Sequence, residues 1–224
     1  MIPNTKIFSE GKETNWDEFL RKCERRGITK EALIGVLGGR FMPFHLGHMA
    51  TLELLAKQEY RLHIGVVNPD PWNTLLEGER FTLDKNFLTY AERIEAIERA
   101  VRTTGKQGVT YGPYYPARWY GEDVHWSYIP GRPETTLQYI ALRDDFDRAK
   151  FDSYMTEGRN LVVVPLAEGD GVPYSATEIR KRMVAGEDSW RGLVTPGMAE
   201  IIDRNGIVDR LLRITRGETA RPAP

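Results

Sequence analysis

The sequence predicts an α/β protein with a doubly wound, mostly parallel sheet and a helical C-terminal part. Short, largely apolar segments lie at 32–37, 61–67 and 161–166, and such segments are typical of parallel strands that are covered on both faces. Longer segments between them carry apolar residues at helical spacing. Turn-forming residues, such as those at 68–71, separate the two kinds of segment. Strands that alternate with helices favour one sheet with right-handed crossovers.

The bulk composition limits the classes of partner. A chain of 224 residues fits one α/β domain with a small appendage. The 31 Lys and Arg residues nearly balance the 32 Asp and Glu residues, so no global charge attracts nucleic acid or a membrane surface. No apolar stretch has the length of a membrane span, and the polar N-terminus is unlike a signal peptide. We therefore expect a cytoplasmic protein with no nucleic-acid or membrane partner, and the single cysteine, Cys23, suits a reducing compartment.

The N-terminal part is expected to be an extension at 1–30 that contains one short helix. It precedes a domain at 31–216 and a flexible tail at 217–224. Residues 1–14 show no clear pattern and are expected to be loosely draped. Asn15 is a suitable N-cap for the helix, and Gly27 is suited to follow its end. The apolar stripe of this helix consists of Trp16, Phe19, Leu20 and Cys23.

The first half of the domain contains the clearest alternation of elements. The expected elements are a strand at 32–37, a helix at 47–58 and a strand at 61–67. The connection at 68–88 is longer than most loops in compact domains, which favours a functional role for it. Thr89 and Glu92 have the spacing of a capping box that opens the next helix.

The second half is less regular. Residues 106–133 are dense in aromatic residues, Gly and Pro, and the sequence assigns them no regular element. The remaining expected elements are a helix over the charged segment 134–157, a strand at 161–166, a helix opened by a capping box of Ser175 and Glu178, a helix opened by Thr195 and Pro196 with Met198, Ile201 and Ile202 inward, and a last helical segment that carries Ile207, Leu211 and Leu212.

The segment 39–48, Gly-Arg-Phe-Met-Pro-Phe-His-Leu-Gly-His, directly follows the first strand and precedes a helix. Glycine after a central strand lets a bulky ligand approach the carboxyl ends of the strands. His45 and His48 flank Gly47 at a helix N-terminus, where an anion is favoured. Two imidazoles there suit a phosphate that gains charge in a transition state. Zinc binding is the alternative, but no nearby cysteine or carboxylate completes a ligand set, so we predict no metal site made of protein ligands.

The segment 174–182, Tyr-Ser-Ala-Thr-Glu-Ile-Arg-Lys-Arg, is a second candidate phosphate site. A helix start with the hydroxyls of Ser175 and Thr177, free backbone N–H groups and Arg180 one turn on can hold a polyphosphate. Arg93, one turn into the Thr89 helix, is a third candidate for reaching the triphosphate. The alternatives without a ligand are that Ser175 and Glu178 form only an ordinary capping box and that Arg93 is a surface arginine.

Segments 39–48 and 175–180 resemble the signatures His-x-Gly-His and Ser-x-Thr-x-x-Arg of the nucleotidyltransferase superfamily, which has a Rossmann-like fold. Segment 86–93 is similar to a segment of archaeal-type nicotinamide-nucleotide adenylyltransferases, as are segments 181–183 and 190–194. The resemblance implies that a divalent metal, usually Mg²⁺, bridges the triphosphate. It also implies that His45 and His48 stabilise the α-phosphate and that Arg180 holds the β- and γ-phosphates. The remaining nucleotide-binding positions are expected to be Gly39, Arg40, Phe41, Ser175, Thr177 and Arg93.

The resemblance does not extend to 104–160, where such enzymes build the acceptor pocket, and the loop at 68–88 has Trp72 and Asn73 in place of the usual residues. An aromatic floor for the acceptor is expected from Trp119, Trp126 or Tyr128. Ordinary packing is the alternative for each of these residues.

The leading functional prediction is adenylyl transfer from ATP to a phosphate-bearing acceptor such as nicotinamide mononucleotide, with release of pyrophosphate. The close alternative is cytidylyl transfer from CTP to a phosphonate, sugar phosphate or alcohol phosphate. A nucleotide sensor is disfavoured because His45, His48 and Arg180 are all present. A dinucleotide-dependent oxidoreductase is disfavoured because no Gly-x-Gly-x-x-Gly follows the first strand. The resemblance is also compatible with a homo-oligomer.

Overall fold

The computed structural model describes residues 5–72, 81–169, 172–218 and 220. In these residues seven strands form one sheet in the order β2-β1-β7-β6-β3-β4-β5. The strands are β1 (Lys6–Ser9), β2 (Lys12–Thr14), β3 (Ile34–Gly39), β4 (Arg61–Val67), β5 (Val109–Tyr114), β6 (Thr136–Ala141) and β7 (Asn160–Val164). A separate two-stranded sheet consists of β8 (Glu168–Gly169) and β9 (Val172–Pro173).

The helices follow the strands in the expected alternation. They are α1 (Trp16–Arg25), α2 (Leu46–Ala56), α3 (Tyr90–Thr104), α4 (Ala117–Tyr120), α5 (Glu122–Ser127), α6 (Asp145–Thr156), α7 (Ala176–Ala185), α8 (Pro196–Arg204) and α9 (Ile207–Thr215). None of the helices in the described ranges combines the length and apolarity that crossing a bilayer requires.

The sheet is mostly parallel, which confirms the predicted fold class. Strand β6 runs parallel to both of its neighbours, with Ile34 opposite Thr136 and Leu137 opposite Asn160. The apolar segments chosen from the sequence correspond to β3, β4 and β7. The ends of β4 match the prediction, and those of β3 and β7 differ from it by one or two residues. Buried residues of these strands include Ile34, Val36, Leu62, Ile64, Leu161 and Val162, and because Leu161 and Val162 are adjacent, both faces of β7 are covered.

Two compact units make up the chain. We call residues 1–39, 53–65 and 106–166 the sheet unit, and residues 40–52, 66–105 and 167–224 the motif unit. The sheet unit therefore contains β1–β3, most of β4 and β5–β7. The motif unit contains the segment after β3, the end of β4 and helices α3, α7, α8 and α9.

The N-terminal residues differ from the expectation. Helix α1 is confirmed, and the side chain of Asn15 accepts a hydrogen bond from the Glu18 N–H at 2.9 Å. Residues 6–14, however, are not loosely draped, because β1 pairs antiparallel with β2 and with β7. Ile7 is 3% exposed, and the Ser9 hydroxyl donates to Asn160 Oδ1 at 2.8 Å. A four-residue strand with Lys and Ser carries no apolar run, so no periodic pattern indicated it.

Two expectations in the second half are also corrected. The segment 134–157 is not helical throughout, because its first part is the central strand β6 and the helix begins at Asp145. The capping box of Ser175 and Glu178 does not form. The Ser175 hydroxyl accepts from the Thr177 N–H at 3.2 Å, while Glu178 pairs with Arg182 at 2.9 Å. The capping box at Thr89, in contrast, is confirmed with both of its hydrogen bonds.

Tyr114 shows how the sheet unit is packed around a buried polar side chain. A Cβ atom on Gly65 would lie 2.6 Å from Cδ2 of the Tyr114 ring, so only glycine fits there. The Tyr114 hydroxyl donates to Gln138 Oε1 at 2.9 Å and lies 2.9 Å from the Tyr154 hydroxyl. Burial, the largest influence, raises the pKa of Tyr114, so this hydroxyl stays protonated and the cluster stays neutral.

The tail was predicted to be flexible from 217 onward. Residues 219 and 221–224 lie outside the described residues. In the described part, Glu218 pairs with Arg213 at 2.7 Å and Ala220 is 3% exposed.

Candidate active site

The segment between β3 and α2 is anchored by apolar side chains. Phe41, Met42 and Phe44 are at most 2% exposed. Phe41 has φ of 53°, in the left-handed region that bulky residues rarely adopt. Its ring packs against that of Phe44 with centroids 5.7 Å apart. Phe41 was predicted to contact the nucleotide, but its side chain is buried, so only its backbone can do so.

The two histidines of this segment lie together. Their rings stack with centroids 3.7 Å apart and an interplanar angle of 26°. The backbone N–H of His45 donates to Nδ1 of His48 at 3.2 Å. Because Nδ1 of His48 is an acceptor, the neutral imidazole carries its proton on Nε2 and can donate from that atom. His48 is half-buried and His45 is 3% exposed, so both rings pack against neighbouring side chains.

Gly47 allows this stacking. A Cβ atom on Gly47 would lie 3.0 Å from both Cε1 and Nδ1 of His45 and 3.1 Å from Cβ of Tyr174. Any side chain at this position would therefore displace the His45 ring or the segment before α7. His45 also forms an isolated antiparallel bridge with the buried Val194. The glycine between the histidines thus lets the His45 ring and the segment before α7 lie this close to the start of α2.

Arg180 connects the two sequence motifs. Its Nη1 donates to the carbonyl of Met42 at 3.2 Å, and its Nη2 donates to the Thr177 hydroxyl at 3.1 Å. A guanidinium has five N–H groups, so within the described residues three of them remain uncommitted. Burial lowers the pKa of Arg180, and the charge of Asp84 opposes that effect. A half-buried cation with free donors beside a helix N-terminus is suited to a phosphate.

Arg93 is engaged entirely with the backbone of the site. It is 0% exposed, and its five N–H groups donate to five backbone carbonyls at 2.8–3.2 Å. Direct contact with a triphosphate would require one of these hydrogen bonds to be exchanged, and that contact stays a prediction. The acceptors are the carbonyls of Thr89, Arg40, Val67, Asn68 and Pro69.

The other predicted phosphate ligands lie along the same segments. Gly39 is the last residue of β3, and Arg40 is half-buried directly after it. Ser175 is the N-cap of α7, and its hydroxyl bonds to the Thr177 N–H. The motif unit therefore brings His45, His48, Thr177 and Arg180 into one connected arrangement through the Met42 carbonyl and the segment at 40–48.

The three aromatic residues predicted as alternatives for the acceptor lie in the sheet unit, and each contacts different neighbours. Trp119 stacks on Phe146 with centroids 6.2 Å apart. The Trp126 Nε1–H donates to Glu122 at 2.7 Å. Tyr128 is 44% exposed and contacts Tyr115 edge-on at 4.6 Å. Trp126 thus has a packing role, and Tyr128 is the most accessible of the three.

The sequence interpretation missed a buried polar cluster beside Trp126. Arg159 is 3% exposed, pairs with Glu122 at 2.7 Å and lies 5.0 Å from the Trp126 ring centroid. Arg159 also contacts Nε2 of His125. Nδ1 of His125 lies 2.9 Å from the Tyr115 carbonyl. Burial and then the Arg159 charge lower the pKa of His125 to about 4, so the ring is neutral at pH 7. The only sequence signal was a lone histidine among aromatics.

No metal-binding cluster of protein ligands occurs in the described part of the chain. Within it, no three His, Cys, Asp or Glu side chains are grouped so that they could hold an ion.

Comparison with known proteins supplies the family. The sequence profile of the cytidylyltransferase-like family matches residues 36–182. A phosphonoformate cytidylyltransferase of Streptomyces viridochromogenes is 29% identical over 79% of this chain and 94% of that protein. A nicotinamide-nucleotide adenylyltransferase of Thermococcus onnurineus is 31% identical over 79% of this chain and 86% of that protein.

A solved structure shows the same fold. The bifunctional NMN adenylyltransferase/ADP ribose pyrophosphatase of Francisella tularensis matches with a TM-score of 0.56 and 18% identity, over 83% of this chain and 54% of that chain. At this identity the match concerns the fold alone.

Proposed function

The chain belongs to the cytidylyltransferase-like family of nucleotidyltransferases, and from this membership we propose that it transfers the adenylyl group of ATP to a phosphate-bearing acceptor, with nicotinamide mononucleotide as the leading candidate. Archaeal relatives named nicotinamide-nucleotide adenylyltransferases, from Thermococcus onnurineus and Pyrococcus abyssi among others, support this choice of substrates. The observation that carries the proposal is the link from Arg180 to the Met42 carbonyl, which joins the His45–His48 segment to the start of α7.

The proposed chemistry needs no protein nucleophile. A phosphate oxygen of the acceptor attacks the α-phosphorus of the triphosphate, and the bond between that phosphorus and the β-phosphate bridging oxygen breaks. Nε2 of His48 and the imidazole of His45 donate to the α-phosphate oxygens as charge accumulates there. Arg180 and Thr177 hold the departing pyrophosphate. Catalysis is then positioning together with stabilisation of charge.

A divalent cation is part of the proposal. Mg²⁺ is commonly bound by substrate phosphates and water with few protein ligands, which fits a site whose described residues contain no ligand cluster. The cation would neutralise triphosphate charge, while His45, His48 and Arg180 would orient the phosphates. A related solved structure from Francisella tularensis contains AMP and a manganese ion.

Two further expectations concern the setting of the reaction. We propose a cytoplasmic location, which rests on the balanced charge and the single cysteine of the chain. A homo-oligomer is proposed from the family resemblance only, and analytical ultracentrifugation would test it.

The second candidate is cytidylyl transfer from CTP to a phosphonate. Two observations favour it. The phosphonoformate cytidylyltransferase relative matches over 94% of its length. In addition, Trp126 contacts Glu122 and Arg159, and Trp119 stacks on Phe146, so within the described residues each indole already has a packing partner that a stacked nicotinamide ring would have to share.

A substrate matrix tests the proposed function and separates the two candidates. Pyrophosphate release is measured with ATP, CTP, GTP and UTP, each combined with nicotinamide mononucleotide, phosphonoformate or no acceptor, in the presence of Mg²⁺. We expect the highest rate with ATP and nicotinamide mononucleotide. Highest release with CTP and phosphonoformate would instead establish the second candidate. If no triphosphate gives acceptor-dependent release, the proposed function fails.

A further inference from the structure

Asn68 combines two unfavourable features at the end of β4. It directly follows Val67, the last residue of the strand, and has φ of 52°. Its side chain is 2% exposed, and within the described residues its Nδ2 has no hydrogen-bond partner. Most buried polar groups in proteins do have a partner, so this donor needs an explanation.

The position of Asn68 suggests a ligand. In open α/β sheets, ligands bind outside the carboxyl ends of the strands, and β4 is next to β3, the strand that leads into the His45–His48 segment. Residues in sparsely populated backbone regions cluster at functional sites, and a buried polar group without a partner in a native structure needs a specific explanation. An amide N–H that is buried and unpaired in the protein alone can be satisfied by an oxygen atom of a bound substrate.

The charge around Asn68 indicates which kind of substrate oxygen would accept a hydrogen bond from its amide. The Asn68 carbonyl accepts from Nη2 of Arg93 at 2.8 Å, and the Arg40 carbonyl accepts from Nη1 at 3.1 Å. These two carbonyls are therefore one guanidinium group apart. In the described part of the chain all hydrogen-bond partners of Arg93 are backbone carbonyls, and the carboxylate of Glu92 pairs instead with Arg210. A buried cation without a carboxylate partner favours an anion nearby.

We propose that Asn68 is a substrate-binding residue whose side-chain amide donates a hydrogen bond to an anionic oxygen. This oxygen belongs either to the nucleoside triphosphate or to the phosphate or phosphonate group of the acceptor. The inference rests on the proposed function, and it adds a ligand that neither sequence motif contains. Arg93 then acts as a positioning residue that holds the backbone of Asn68 and the segment starting at Arg40.

The decisive variant is Asn68→Gly. Glycine adopts a positive φ without strain, so the backbone is retained while the amide is removed. We expect KM for one of the two substrates to rise about tenfold, as for loss of a hydrogen bond to a charged group. The thermal midpoint without ligand should not fall, because an unsatisfied buried donor and a strained backbone are both removed. The matched control is Asn15→Gly, which removes the amide that caps α1 in the sheet unit and should leave both KM values unchanged.

A second variant tests the donor itself. Asn68→Asp keeps the size of the side chain and tolerates the same backbone conformation, but it replaces the N–H donor with a negative charge. It should raise KM for the same substrate more than Asn68→Gly does. The substrate whose KM rises identifies the source of the oxygen. If neither KM changes more than twofold and the thermal midpoint of Asn68→Gly falls, Asn68 is structural and the inference is overturned.

Failure of the proposed function can be told apart from failure of this inference. If the wild-type chain releases no pyrophosphate in the substrate matrix, the proposed reaction fails whatever Asn68 does. Calorimetric titration with ATP, CTP, inorganic phosphate and phosphonoformate then tests Asn68 alone. Weaker binding of any of these anions by Asn68→Gly supports the inference, and equal binding of all of them refutes it.

Discussion

Arg93 and Arg180 are the same residue type, and each lies about one turn into a helix. Their environments give them different roles. Arg93 donates all five N–H groups to backbone carbonyls, and burial lowers its pKa to about 9. Within the described residues, Arg180 uses only two donors. The first arginine therefore holds the backbone of the site, and the second is available to a ligand.

The residue whose chemistry is easiest to test is His48. We expect His48→Ala to lower turnover by about 10²–10³-fold, because it removes a donor that acts on charge developing in the transition state. Affinity for the triphosphate should change by only a few-fold, since the ground-state phosphate gains less from this donor. Turnover is measured from pyrophosphate release and affinity from titration with a non-hydrolysable triphosphate.

Thr51→Ala is the matched control for His48. Thr51 lies one turn further along α2, and its hydroxyl donates to the Gly47 carbonyl at 3.2 Å. Its removal takes away one hydrogen bond on the same helix without removing an imidazole, so turnover should stay within about threefold, a change of roughly 0.7 kcal/mol. Wild-type turnover in His48→Ala would contradict the assigned role.

At the scale of elements, a buried ion pair connects α3 with α9. The carboxylate of Glu92 completes the capping box of α3 and also accepts from both Nη atoms of Arg210 at 2.8 and 2.9 Å. The exposed fractions of the two side chains are 8% and 11%. Burial alone would raise the pKa of Glu92, but hydrogen bonds from Arg210 and from the Thr89 backbone outweigh it and lower the pKa.

This pair predicts a pH dependence of stability. Because the pKa of Glu92 is lower in the folded state, the ionised carboxylate stabilises the folded chain fully at pH values above the unfolded pKa of about 4.3. This stabilisation is lost as the pH falls through the folded pKa. Glu92→Gln should therefore lower the free energy of unfolding at pH 7 by about 2–4 kcal/mol, since Arg210 loses its charged partner. The difference from wild type should shrink as pH falls below about 4.

Urea unfolding at a series of pH values measures this effect. The control is Glu98→Gln, which removes an exposed pair with Arg102 at 3.8 Å and should change the free energy of unfolding by less than about 0.5 kcal/mol. A difference between Glu92→Gln and wild type that stays constant from pH 7 to pH 3 would show that the lowered pKa does not contribute to stability.

For the whole molecule, the N-terminal strands extend the sheet and cover one edge of β7. Removal of residues 1–14 exposes that edge and eliminates the buried side chain of Ile7. We expect the free energy of unfolding to fall by about 2–5 kcal/mol, from lost apolar burial and lost strand pairing. Urea unfolding measures the loss. Turnover per folded molecule should be retained, because the truncation removes none of the residues assigned to catalysis.

The exposed side chain of Lys12 provides the control for the truncation. Lys12→Ala should leave the free energy of unfolding within about 0.5 kcal/mol of wild type, as is usual for surface positions. If the truncated chain is as stable as the full chain, β1 and β2 do not contribute to the sheet in solution. An exposed β7 edge should also increase aggregation, which light scattering would detect.

Local sequence patterns predicted the structural features that depend on contacts between residues close in sequence. The apolar segment before Gly39 predicted β3, the Thr89–Glu92 spacing predicted a capping box, and Thr195 followed by Pro196 predicted the start of α8. The chemistry of the two motifs could be interpreted for the same reason. In each motif the polar side chains lie close together in sequence, either in the turn before a helix or in the first residues of a helix.

Features that depend on partners distant in sequence were decided only by the tertiary structure. Arg93 is occupied as a donor because backbone carbonyls 24–53 residues away in sequence take up its N–H groups. Arg180 meets fewer such carbonyls within the described residues, so some of its N–H groups remain available. The strand at Lys6–Ser9 exists because β7, about 150 residues later, offers it an edge. The sequence alone therefore determined the fold class and the nucleotidyl-transfer chemistry. The tertiary structure decided which polar groups remain available to a substrate, because a hydrogen-bond donor is available only where folding leaves it without a partner.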